Sequence, residues 1–107
     1  VAIVNTEEFL RLIENQRPCL QTLPKGLQAM WYDNKGDWSK AHEIVTNASD
    51  ADSAWVHAYL HRKEGDLNNA HYWYQRSGKP EFLGELSQEW EQITSVLLRK
   101  VNATHEC

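Results

Sequence analysis

Two histidines four residues apart, in Val56-His57-Ala58-Tyr59-Leu60-His61, are the first feature of this chain with the makings of chemistry. On a helix that spacing stacks both side chains on one face, where two imidazoles can share a metal ion. Ala58 stands where a zincin carries its general-base glutamate, so that route to proteolysis is excluded. Spacing fixes no third ligand. His71 lies within reach along the chain, with Glu64 and Asp66, which makes His57, His61 and His71 the candidate metal or small-molecule set. The blander expectation, and the favoured one, is that His57 and His61 sit in a seam between helices and hydrogen-bond tyrosine or backbone groups.

A second candidate set lies on the same segment. Trp55, Tyr59 and Arg62 fall on one arc and belong to the residue types enriched in binding hot spots. The helix expected over 53–64 is apolar almost all round, with Val56 and Leu60 on one side, Ala54 and Ala58 on another, and Trp55 and Tyr59 on a third. A helix with no polar side is normally central. The Trp55 arc is therefore either packed under neighbouring helices or the lining of a groove for a protein or peptide partner. Tyr72 points away from Trp73 and Tyr74 and is expected to be exposed. No glycine-rich phosphate loop, nucleophile elbow or Cys–His pairing is visible, so no catalytic residue and no cofactor is expected. The acidic pairs Asp50/Asp52 and Glu7/Glu8 stand where helices begin and read as caps and dipole partners.

What must position these residues is a repeat. Residues 27–42 and 56–71 align without a gap at an offset of 29, as Gly65 follows Gly36. Ala29 and Ala58, Gly36-Asp37 and Gly65-Asp66, and Ala41-His42 and Ala70-His71 recur in place. Repeats of such a period signal stacked supersecondary units. Glycine just past a helix can take the left-handed conformation that closes it, and the aspartate beside it can cap the next helix. Each unit thus reads as a helical hairpin, about 23–48 and about 51–77. In the second helices, Trp38, Ala41, Ile44, Val45 and Ala48 share an apolar face, matched by Leu67, Ala70, Trp73, Tyr74 and Ser77. The recurrence of His42 and His71 beside the repeated alanine argues that both are structural.

Flanking segments read as capping helices. Asn5 and Glu8 resemble a capping box that opens a helix running to about residue 16, before Pro18. Pro24 suits the start of the first hairpin, and Gly78-Lys79-Pro80 stops the second. Leu83, Leu86, Trp90, Ile93 and Leu97 then form one apolar stripe on a helix expected over about 82–101. The fold class expected is all-α: antiparallel helical hairpins with N- and C-terminal capping helices, about six in all, in a single domain over 1–107.

Gly65-Asp66-Leu67-Asn68-Asn69-Ala70-His71-Tyr72-Trp73-Tyr74-Gln75-Arg76-Ser77 resembles a tetratricopeptide-type repeat, and the Ala-x-x-Trp-Tyr-x-x-small arrangement resembles its Sel1-like branch more closely. Residues 54–80 also resemble a group of short uncharacterised proteins, which implies no activity. The tetratricopeptide resemblance covers roughly residues 23–80 and implies a TPR-like α-α superhelix whose inner helices bind a peptide or protein. On that resemblance Trp55, Tyr59 and Arg62 face the concave surface. The Lys and Asn residues with which some of these domains hold a peptide carboxylate are replaced by Gly26, Met30, Trp55 and Tyr59, which argues against that binding mode. The offset of 29 is also shorter than the usual repeat of about 34, so the superhelical pitch does not carry over.

Bulk composition agrees with a globular interaction module. A chain of 107 residues, 41% hydrophobic and 24% charged, is one soluble domain's worth. The net charge of -4, with lysines and arginines scattered, disfavours nucleic acid as a partner. No apolar run approaches a membrane span. Residues 1–15, with Glu7, Glu8, Arg11 and Glu14, are no signal peptide. Cys19 and Cys107 read as free thiols of a cytoplasmic protein. Asn47-Ala48-Ser49 and Asn102-Ala103-Thr104 fit the glycosylation tripeptide, a pattern common by chance. The leading expectation is a non-catalytic helical-repeat module, monomeric or weakly dimeric through the Leu83–Leu97 stripe. The alternative is a metal or small-molecule site, with the possibility of catalysis, built on the histidines.

Overall fold

Each Gly-Asp pair ends one helix and starts the next in the computed structural model, which describes residues 6–15 and 23–101. Gly36 and Gly65 have φ of 88° and 92°, in the left-handed region that closes a helix without a Cβ penalty. Asp37 then accepts from the Lys40 amide at 3.0 Å, and Asp66 from the Asn69 amide at 3.3 Å. The order is α1 (Thr6–Asn15), α2 (Lys25–Asn34), α3 (Trp38–Thr46), α4 (Ala51–Glu64), α5 (Leu67–Ser77) and α6 (Leu86–Lys100). Among the described residues all regular structure is helical, and no helix is long and apolar enough to cross a membrane. Asn5, Pro18, both cysteines and the Asn102-Ala103-Thr104 tripeptide lie outside the described residues.

Helices α2 and α3 form one hairpin and α4 and α5 the other. Helix α4 is the centre, packing on α2, α3, α5 and α6. Every residue from Ser53 to His61 is buried, as an all-round apolar helix requires. Helix α6 lies across α2 and α4 and seals them with Trp90, Ile93, Leu97 and Leu98, all buried. Each such side chain contributes about 1.5–3 kcal/mol by leaving water. The Trp90 indole N–H also donates to the Met30 carbonyl at 3.0 Å.

Two buried carboxylates tie the layers together. Asp33 accepts from the Tyr59 hydroxyl at 2.7 Å and from Lys63 at 2.9 Å. Glu89, only 1% exposed, accepts from Arg62 at 2.8 Å and from the Tyr74 hydroxyl. Burial first, and then the carboxylate acceptor, pushes both phenols well above their ordinary range, so they stay donors.

Two expectations are corrected. The last helix begins at Leu86, not near 82: Glu85 is its N-cap, and the Gln88 side chain accepts from the Glu85 amide at 3.1 Å. Leu83 therefore lies in the connector and is 94% exposed, while the rest of its stripe is spent inside the molecule. Leu67, expected on the apolar face of its helix, is 65% exposed. Its repeat equivalent Trp38 is covered by α4, whereas α6, the next helix after α5, packs on α2 and α4 instead.

Removing Glu89 takes the shared acceptor from the half-buried Arg62 guanidinium and the buried Tyr74 hydroxyl. Glu89→Ala is expected to lower unfolding stability by about 1–3 kcal/mol in denaturant melts. The double substitution Arg62→Leu with Glu89→Leu should recover most of that loss.

Candidate functional site

Three histidines meet at the seam between the hairpins. Helix α3 brings His42, one turn after Trp38, and α4 brings His57 and His61, one turn apart. One ring nitrogen from each lies within 4.8 Å of the other two. The His42 and His57 Nε2 atoms are 3.1 Å apart, and the His61 Nδ1 is 2.7 Å from Glu64 Oε2. Two indoles close the sides. Trp38 stacks on His42 with centroids 4.7 Å apart, and Trp73 of α5 stacks on His57 at 3.9 Å. Trp38 is itself pinned, its N–H donating to the Leu60 carbonyl at 2.9 Å. His57 and His61 are buried and His42 half-buried, so the cluster meets water on the α3 side.

This composition differs from the one the spacing suggests. His57 and His61 do share a face, but His71 is not with them: it is exposed and pairs with Glu81 in the connector. Its place is taken by His42, which sequence reasoning set aside as structural. The two are equivalent in the repeat, yet only His42 has an α4 to face. The offset repeat was itself the signal that could have found His42, because a residue that recurs at a hairpin seam meets the first helix of the following unit.

The expected partner-binding arc is largely buried. Trp55 and Tyr59 are 5% and 2% exposed. The Tyr59 hydroxyl is held by Asp33, and Arg62 is committed to Glu89, to the Gly84 carbonyl and to the Phe82 ring. Lys79 lies 4.7 Å over the Trp55 ring. Helix α6 packs on α2 and α4 against this arc. Tyr72 is exposed as expected, with Arg76 donating to its hydroxyl at 3.1 Å.

Packing sets the protonation of the cluster. Burial, then the neighbouring His61 and His42, lowers the His57 pKa to about 4. Burial and His61 also lower that of His42, with Glu64 opposing. Both imidazoles are therefore neutral near pH 7, the form that ligates metals. In the close His42–His57 contact one Nε2 must donate to the other. The other nitrogen of His57, Nδ1, is buried without a hydrogen-bond partner. With Glu64 on the Nδ1 of His61, Nε2 is that ring's other nitrogen, the one left to face a ligand. A second grouping, His61, Glu64 and Asp66, offers three donors, but Asp66 already caps α5.

No protein-family model, curated protein or solved structure matches the chain.

Acid should unfold the metal-free protein through this cluster. The unfolded chain binds a proton at His57 near pH 6.5, the folded chain only near pH 4. The unfolded state therefore holds more protons between those values, and stability falls as pH drops through that window. The expected loss is about 3 kcal/mol across it. Denaturant melts at successive pH values should show a shallower slope for His57→Gln than for the wild type.

Proposed function

We propose that this chain is a metal-binding helical-hairpin protein that holds one divalent transition-metal ion on His42, His57 and His61. The observation that carries the reading is the convergence of three imidazoles from two helices. A tetrahedral ion with nitrogen ligands at about 2.0–2.1 Å needs nitrogens about 3.3 Å apart. The His42–His57 separation of 3.1 Å is already near that edge. An ion would take the position of the proton that these two nitrogens share, letting both Nε2 atoms act as acceptors. Glu64 on His61 is the carboxylate partner that commonly orients a ligating histidine and raises its basicity. Three nitrogen donors and no thiolate suit zinc, nickel, copper or cobalt better than magnesium or calcium.

The reading is preferred to a partner groove at Trp55, Tyr59 and Arg62, because Tyr59 and Arg62 are committed to Asp33 and Glu89, and Trp55 is buried beneath Lys79. The ion would join α3 to α4, and so the first hairpin to the second. A ligand that binds only the folded state stabilises it by mass action, about 2.7 kcal/mol at a hundredfold excess over Kd.

Zinc added to the chelator-treated protein is expected to bind at one ion per chain by calorimetry and to raise the melting temperature. His42→Ala should abolish both effects, whereas His71→Ala should keep both. Absence of saturable binding, or equal loss in the two variants, rejects the proposal.

A further inference from the structure

Building on the metal reading, we infer that the occupied site keeps a fourth, exchangeable coordination position and that a small monoanion of the carboxylate or azide kind fills it. Ligand number is the first argument. Among the described residues the cluster contains three donors, His42, His57 and His61, with no further Cys, Asp, Glu or His sharing the same mutual distance. The flanking indoles add none: an indole nitrogen has no free lone pair, and that of Trp38 is spent on the Leu60 carbonyl. Nitrogen-ligated ions with three protein donors take a solvent or substrate oxygen in the fourth place. The half-buried position of His42 puts the water-facing side of the cluster at that helix.

Charge selects the class of ligand. Three neutral imidazoles offset none of a divalent ion's charge. Glu64 is the carboxylate in contact with a ligand, touching His61 at 2.7 Å, and brings a single negative charge, whereas Asp66, near the same ring, is exposed to water and spent on the α5 cap. One positive charge is left over. Two of the three ligands are buried, and a charge left uncompensated in such surroundings is costly. A monoanion bound to the ion closes the balance, whereas a neutral ligand leaves it open and a dianion overshoots it. The open side is bounded by rings, Trp38 on His42 and Trp73 on His57, which favours a small, flat or linear anion over a bulky one.

Cobalt(II) makes the position visible, because its d–d absorption responds to ligand exchange. The full-length chain loaded with cobalt and titrated with azide, then with acetate, is expected to show a saturable spectral change at one anion per metal. Glu64→Gln should act in opposite directions on the two equilibria. Cobalt affinity should fall, by about 10–100-fold, as for other lost partners of ligating histidines. Azide affinity of the loaded variant should rise severalfold, since one more positive charge is left uncompensated. A purely structural role for Glu64 would not produce that opposition. Cobalt bound at one per chain with a spectrum that azide leaves unmoved overturns this inference alone, since the protein then closes the fourth position itself. Failure of cobalt to bind overturns it together with the metal reading.

Discussion

Helix α4 has no polar side to offer water, and everything else in the molecule is arranged to cover it. Its residues from Ser53 to His61 are buried, and four other helices lie against it. The first hairpin covers one flank, α5 returns along another, and α6 crosses it together with α2. Two hairpins are fewer than a stacked repeat normally needs to bury a continuous core. Helix α6 makes up the shortfall by lying in the groove that α2 and α4 form.

Covering a helix on all sides forces its polar groups to find partners inside. The Tyr59 hydroxyl, Lys63 and Arg62 meet Asp33 and Glu89, two carboxylates carried in from neighbouring helices. Such pairs contribute little net stability against an apolar replacement, but they penalise any register that separates them. On the remaining flank, the carboxylate that touches the clustered histidines is Glu64. These histidines meet each other and two tryptophans. Dry packing holds His42 and His57 neutral, and neutral imidazoles crowded together leave lone pairs with too few protons to share. The same burial that completes the fold thus creates a donor set, and the proposed metal and its anion use what the core left unsatisfied.

The parts of this architecture legible in the chain were local ones. Gly36-Asp37 and Gly65-Asp66 announced a helix stop followed by a cap, because both events depend on a few adjacent residues. The apolar wheel of 53–64 announced a central helix. Pairing across helices was less accessible. Glu89 reads as an ordinary surface charge beside Trp90, and only the arrival of Arg62 and Tyr74 makes it a buried one. Leu83 fits the stripe by spacing, but the helix does not start until Glu85 caps it. Trp55, Tyr59 and Arg62 were identifiable as a distinctive arc; that α6 would occupy it was not, since nothing in the stripe of α6 states which groove it prefers.

The histidines mark the same division. By itself the chain determined that His57 and His61 share a face, because helical periodicity is a property of one segment. Tertiary structure alone decided that His42 joins them and His71 does not. The two occupy the same place in the repeat, and their difference lies in what stacks next: α4 follows the first hairpin at the seam, while α6 leaves the second hairpin's outer face and turns inward. A contact between segments depends on where each is carried by the whole packing, and that information is spread over the entire core.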